Sequence, residues 1–228
     1  MGLPSNTFMF NYNAKDYVPS TRTFPKTTGQ LFDEDLVLNA DIAVGDGYVN
    51  FTGNSYMVKS YNANSNPFNV TTSSPHFTLI YKTSGWTADN TNIVSNRGTN
   101  FNFMMRGNRC IFGTEYCIFT PTSNPQIMVI RADTGAAFSR QEWDSNGNVL
   151  TGATATGTFG STSNSFNFFC GKNNGGEPFR SIFYWMYLSM ETLTDEQVMQ
   201  VIKYNEPEAP TPILIPYNNL FRNGVNLN

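Results

Sequence analysis

The sequence predicts an all-β fold, a two-sheet antiparallel sandwich or a barrel with one short C-terminal amphipathic helix and an extended tail. Three observations carry this. Short apolar–polar alternating runs recur along the chain, turn residues separate them, and a single segment shows helical spacing. The 228 residues are enough for one large all-β domain.

The strands follow in order. Phe8-Met9-Phe10-Asn11-Tyr12 opens the series. Residues 48–52, the turn Gly53-Asn54-Ser55 and residues 56–58 read as a hairpin. Residues 77–82 form a strand by their β-branched and aromatic content. Residues 101–104 lead through Gly107-Asn108 into Cys110-Ile111-Phe112. Within residues 126–131 the run Ile127 to Ile130 is continuously apolar, as expected of a central strand buried on both faces. Residues 138–143 and 148–150 flank Asp144-Ser145-Asn146-Gly147, where Asn-Gly supplies the positive φ of a tight turn. Residues 166–170 and 179–190 close the set. In the last run Ile182, Tyr184, Met186 and Leu188 alternate with Phe183, Trp185 and Tyr187, which assigns Trp185 to the core or to a helix contact.

The helix is marked at its start by Thr194-Asp195-Glu196-Gln197. This is a capping box, with Leu193 and Val198 in the two positions of a hydrophobic staple. Val198, Val201 and Ile202 make one apolar stripe, and Asn205-Glu206-Pro207 stops it. The chain therefore divides into a domain over residues 1–206 and a Pro/Asn-rich tail over 207–228. Pro207, Pro210, Pro212 and Pro216 keep that tail extended. Its apolar residues Ile213, Leu214, Ile215, Tyr217, Leu220 and Phe221 are costly to leave in water, which makes them candidates for anchoring in a groove or on a neighbouring subunit.

Composition narrows the function classes. Charged and aromatic residues each make up 14% of the chain, so there is ample apolar surface to offset the entropy of ordering. Lys and Arg number 14 against 17 Asp and Glu, without a basic stripe, which argues against a nucleic-acid partner. The absence of a long apolar run argues against a membrane span. The N-terminus as written has no basic region followed by an apolar core, so no signal peptide is read. Three cysteines make an odd count. Cys110 and Cys117 fall in one candidate hairpin and Cys170 on a later strand, and all three suit small buried hydrophobes. With His76 the only histidine and no Cys-x-x-Cys, a zinc site is not expected.

One stretch carries a resemblance. Phe179-Arg180-Ser181-Ile182 runs through Tyr184-Trp185-Met186-Tyr187-Leu188-Ser189 into Leu193-Thr194-Asp195-Glu196-Gln197. It resembles the last core strand and helix start of the concanavalin A-like lectin/glucanase superfamily, in its laminin-G-like branch. Residues 48–53, Phe77-Thr78-Leu79-Ile80-Tyr81, Ile93-Val94-Ser95 and Phe168-Phe169-Cys170-Gly171 fall in the order of that family's earlier strands. The likeness spans about residues 7–205. It implies a jelly-roll sandwich with one concave sheet, binding glycans or proteins on the concave face or rim loops. Some branches hydrolyse glucans.

Catalysis is not expected. Retaining glucan hydrolysis needs two carboxylates about 5 Å apart, two or four residues apart on a strand. The glucanase branch carries Glu-x-Asp-x-Glu on a core strand, and the nearest text here is Glu142-Trp143-Asp144-Ser145-Asn146, where Asn146 stands in the second glutamate position and the run enters a turn. Asp33-Glu34-Asp35 lacks strand text around it, and nothing supports His76 as part of a triad.

For sugar binding, an aromatic platform beside planar amides is required. Trp86 with Asn90 and Asn92 fits, and Tyr56 with Asn54 is a second candidate pair. No cofactor is expected other than calcium, for which Asp41, Asp46 and Asp89 could supply oxygens without EF-hand spacing. The expectation is a non-enzymatic lectin-like binding or assembly module on an extracellular surface, namely a phage virion, as a decoration or fibre protein. Its partners would be a glycan or protein surface, with a homo-oligomer or capsid and fibre proteins reached through the tail. The alternative is a carbohydrate-binding module of a secreted bacterial protein.

Overall fold

The computed structural model describes residues 2–4, 8–60, 76–85, 92–97, 101–106, 109–112, 115–118, 123–132, 137–156, 165–170 and 176–206. The tail, with Ile213, Leu214, Ile215, Tyr217, Leu220 and Phe221, lies outside them, as do Trp86, Asp89 and Asn90.

In chain order the strands are β1 (Phe8–Asn13), β2 (Thr23–Phe24), β3 (Leu36–Val37), β4 (Ala43–Val44), β5 (Val49–Asn50), β6 (Met57–Ser60), β7 (Phe77–Ser84) and β8 (Asn92–Arg97). They continue with β9 (Phe101–Arg106), β10 (Arg109–Phe112), β11 (Glu115–Ile118), β12 (Gln126–Ala132), β13 (Ala137–Trp143), β14 (Val149–Thr156), β15 (Ser165–Phe168) and β16 (Ile182–Ser189). The helix α1 covers Asp195–Asn205, and a 3-10 turn covers Ala14–Asp16. The fold is an all-β sandwich with antiparallel pairing throughout. An eight-stranded sheet runs β14-β13-β12-β7-β16-β5-β4, with β1 also on β16. A six-stranded sheet runs β11-β10-β9-β8-β15-β6, and β2 and β3 form a separate ribbon.

Side-chain alternation explains why the central strands read as continuously apolar. On β12, Met128, Ile130 and Ala132 enter the core between the two sheets. Ile127 and Val129 face the other way, into a second core under α1. That second core also takes Ile80, Trp143, Trp185 and Tyr187 from the outer face of the eight-stranded sheet and Leu193, Val198, Val201 and Ile202 from the helix segment. The capping box is formed: Gln197 N–H donates to the Thr194 hydroxyl at 3.3 Å, and Thr194 N–H donates to Gln197 Oε1 at 2.8 Å.

The inter-sheet core is dominated by aromatic rings. Phe51 stacks on Phe169 at 4.1 Å, and Phe10 meets Phe168 edge-on at 5.3 Å. Phe169 adopts a positive φ of 59°. The kink lets Phe168 and Phe169 both enter this core, where simple alternation would send one of them outward.

The β13–β14 hairpin forms as the sequence predicts. Gly147, at φ 88°, accepts the left-handed conformation, and Asp144 organises the turn. Its carboxylate accepts from Asn146 N–H at 2.9 Å, Asn148 N–H at 2.8 Å and the Asn148 amide at 2.8 Å. Strands β9, β10 and β11 also form consecutive hairpins, with Cys110 opposite Cys117. Cys117 and Cys170 are buried.

The hairpin expected over residues 48–58 does not form. β5 pairs with β4 and β16 in one sheet, whereas β6 pairs with β15 in the other. Gly53, at φ 98°, therefore carries a crossing between sheets, pinned by buried Phe51 on one side and by the Ser55 hydroxyl bonded to the Asp41 carbonyl on the other. Two alternating runs around a Gly-Asn-Ser turn look the same whether the chain folds back or crosses over.

At its far end the eight-stranded sheet closes on β14. This strand pairs with β13, and among the described residues no strand pairs with its outer edge. Among the described residues no helix is long and apolar enough to cross a membrane.

Candidate functional site

A recess lies on the outer face of the eight-stranded sheet, where β16 changes neighbours. β5 flanks it at Ile182 and Phe183, and β1 flanks it from Trp185 to Ser189. Tyr184 sits at the junction as an extra residue: Phe183 pairs with Thr83 and Trp185 with Lys82. This β-bulge reverses the alternation, so that Phe183 points to the inter-sheet core while Tyr184 and Trp185 both turn outward. The gap between the end of β1 and the β4–β5 turn is left as a cleft of about 230 Å³ lined by Asn13, Lys15, Gly47, Lys82, Tyr184, Trp185, Asn205 and Glu206.

Glu206, at the C-cap of α1, is the electrostatic centre of this cleft. Its Oε1 forms an ion pair with Lys82 and accepts from the Trp185 indole N–H at 2.9 Å; its Oε2 accepts from the Ser145 hydroxyl at 2.7 Å. Lys82 and Glu206 keep only 17% and 16% of their side-chain exposure. Burial pushes the Glu206 carboxyl up, but the bonds from Lys82, Ser145 and Trp185 together with the Lys82 charge outweigh it, and its pKa falls below the ordinary value. An acid at a helix C-terminus opposes the helix dipole, so its place depends on these donors. The Lys82 ammonium also lies 5.2 Å from the centroid of the half-exposed Tyr184 ring, which Tyr48 approaches at 6.0 Å.

The wall beside Glu206 is an amide ladder. Asn205 donates to Asn11 Oδ1 at 2.9 Å and to the Val201 carbonyl at 3.0 Å, and Asn13 donates to Asn205 Oδ1 at 3.2 Å. These amides bond one another and hold the last helical turn against β1. Lys15 is exposed at the rim, its stem 3.6 Å from where a Cβ on Gly47 would lie, and among the described residues it has no ion-pair partner. The cleft thus offers a tyrosine face, two ammonium groups and a carboxylate on rigid elements.

None of these lining residues is a site candidate from the sequence, which reads Trp185 as core or helix contact and Asn205-Glu206 as part of a helix stop. The readable signals were Lys82, the one charge in an otherwise uncharged strand, and Glu206, an acid where a helix end favours a cation. Of the sequence candidates, Asn54 is exposed and Tyr56 half-buried just before β6, with the Tyr56 N–H bonded to Asn39 Oδ1 at 2.8 Å. Asn92 is buried and donates to the Glu177 carbonyl at 2.9 Å. Asp46 is exposed in the β4–β5 turn beside Gly47, and exposed Asp41 lies 4.0 Å from Arg22 Nε. Among the described residues no group of three or more His, Cys, Asp and Glu side chains is placed to hold a metal ion. Glu142 accepts from Gln126 at 3.1 Å, while Asp144 is engaged in its turn.

No protein-family model and no curated protein sequence matches the chain. Solved structures do share its fold. A Trypanosoma rangeli sialidase in complex with sialic acid superposes with a TM-score of 0.60 at 10% identity, over 90% of this chain and 34% of the sialidase. The binding domain of Paraclostridial Mosquitocidal Protein 1 gives 0.57 at 11% identity, over 87% of this chain and 52% of that one. Domain 4 of AbnA, an extracellular arabinanase from Geobacillus stearothermophilus in complex with arabinotriose, gives 0.52 at 13% identity, over 86% of this chain and 98% of that domain. The chain thus spans about a third of the sialidase and half of the toxin binding domain. These likenesses establish the β-sandwich, a fold it shares with binding domains and with parts of enzymes.

Proposed function

We propose that the chain is a non-enzymatic, glycan-binding sandwich of the concanavalin A-like, laminin-G-like kind, with the Tyr184–Lys82–Glu206 cleft as its sugar site. The observation that carries the reading is the bulge at Tyr184. It turns the Tyr184 ring outward, with the Lys82 ammonium over one face, beside fixed hydrogen-bonding groups, so that the ring can meet a sugar's apolar face and the polar groups its hydroxyls. Solved neighbours that hold sialic acid and arabinotriose support a glycan ligand.

In this reading the module serves adhesion on a virion surface, as a decoration or fibre protein, with residues 207–228 as its anchor through Ile213-Leu214-Ile215 and Leu220-Phe221. The Glu206 carboxylate fixes the point from which that tail departs. A second reading, a carbohydrate-binding module of a secreted bacterial protein, is favoured by the near-complete coverage of the arabinanase domain.

A glycan array on the full-length protein, with calcium and again with chelator, tests the sugar reading. A saturable signal that falls about tenfold in Tyr184→Ala, the equivalent of about 1.4 kcal/mol, is expected. A blank array, or a signal indifferent to Tyr184→Ala and Lys82→Met, overturns this site. Loss of binding in chelator would bring in Asp41, Asp46 and Asp89 as calcium ligands. Deleting residues 207–228 tests the anchor: unchanged oligomeric state and particle incorporation would remove it.

A further inference from the structure

The cleft does not stand alone. A second depression of about 220 Å³ is lined by Asn11, Asn13, Lys15, Asp16, Tyr204 and Asn205, and so shares Asn13, Lys15 and Asn205 with the first. A third, of about 480 Å³, is bounded by Leu3, Phe8, Thr27, Thr28, Gly29 and Tyr204, and shares Tyr204 with the second. The three follow one another along the outer face of β1, from Asn13 back to Phe8. One bank is the last turn of α1. The other is the 27–30 loop, held to β1 by the Thr27 hydroxyl donating to the Asn11 carbonyl at 2.7 Å and by Leu31 N–H donating to the Phe8 carbonyl at 3.1 Å. At ~3.3 Å per strand residue this floor is ~17 Å long, several sugar rings in extent. Tyr204, 41% exposed, stands at the middle of the row, lining both the second and the third depression.

Charge along the groove is balanced. Lys82 is matched by Glu206, and Lys15 is followed by Asp16 on the same 3-10 turn. A polyanion would meet two carboxylates with no surplus of cations. A neutral polyol suits the set better, because each hydroxyl can donate to Asp16 or Glu206 and accept from Lys15 or Lys82.

We infer that the three depressions form one groove that binds an internal stretch of a neutral, linear oligosaccharide, with Tyr184 and Tyr204 as successive stacking faces. This rests on the sugar reading of the cleft and extends it from a single sugar to a chain.

The test uses the full-length protein on an array carrying neutral linear glycans graded from monosaccharide to hexasaccharide, arabino-oligosaccharides among them, beside sialylated and sulfated glycans. The expected result is affinity that climbs with chain length on a neutral series. Tyr204→Ala and the blocking substitution Thr28→Trp, both at exposed positions, should each lower hexasaccharide affinity about tenfold while leaving the shortest bound ligand unchanged. Unchanged thermal unfolding of the variants confirms that the fold is intact. Binding to a single terminal sugar or to acidic glycans without length dependence overturns the groove and leaves the sugar reading standing. A blank array overturns both.

Discussion

The indole N–H of Trp185 donates to Glu206 Oε1 at 2.9 Å, joining the bulged segment of β16 to the C-cap of α1. Lys82 and Ser145 converge on the same carboxylate, so strand β7, the β13–β14 turn, strand β16 and the helix end meet at one group. Four separate elements thereby acquire a common point of registration, and the cleft wall is rigid before any ligand arrives.

Glu206→Gln keeps the shape and removes the charge. It should cost about 2 kcal/mol, because Lys82 is left half-buried without its counter-ion. The folded-state pKa of Glu206 lies below its ordinary 4.5, so the carboxylate contributes stability above that pH and loses it as pH falls through the folded value. Thermal unfolding of both proteins between pH 7 and pH 3 checks this. The difference between them should shrink on the acid side, and a constant difference would refute the linkage.

Phe169 combines full burial with a left-handed backbone. Phe169→Ala should lose about 3–5 kcal/mol through the cavity it leaves. Phe169→Gly should be more stable than the alanine variant by ~1 kcal/mol, since glycine adopts positive φ without the Cβ penalty. Urea unfolding of the two variants reads this reversal of the usual Ala-over-Gly order directly.

Gly147 meets two constraints. Its φ is 88°, and a Cβ there would lie 1.7 Å from Met199 Sδ on α1. Gly147→Ala should therefore destabilise by more than ~1 kcal/mol. The steric share, which the flexible Met199 side chain can largely relieve by moving, is what a Gly147→Ala/Met199→Ala double-mutant cycle isolates, and that coupling should be small beside the backbone cost that persists in both alanine backgrounds.

Thr194→Ala removes one half of the capping box and should cost about 1 kcal/mol. Hydrogen exchange should accelerate at the first helical amides, Gln197 above all, with little change in the strands.

What the sequence discloses divides by range. The helix start at Thr194 and the Asp144–Gly147 turn are local devices, encoded within a few residues, and both form as read. The double burial of β12 is also local, because four consecutive apolar residues, Ile127 to Ile130, fit a strand covered on both sides. Sheet membership is not local: residues 48–58 read as a hairpin, and the decision to cross between sheets rests on the distant partners β15 and β16. The cleft is hidden for the same reason. Tyr184 looks like one more term of an alternating series, and only the register with Thr83 and Lys82 shows it to be the inserted residue. Lys82 and Glu206 are both odd in their own settings, and neither oddity names the other.

Strand β14 has a bearing on how the protein behaves in bulk. Val149–Thr156 contains no charge and no proline, and Leu150 is 59% exposed. Sheet proteins usually guard such a margin with lysine, proline or a bulge. Here a bulge in the β13–β14 pair at Glu142–Trp143 and the approach of β11 guard it in part, which leaves the stretch around exposed Leu150 as a seam for another extended chain, so solutions of the protein should grow self-attractive as they are concentrated. Shelf life would then be set at this margin, well away from the groove, and a single lysine at Thr151 or Thr154 would be the economical remedy.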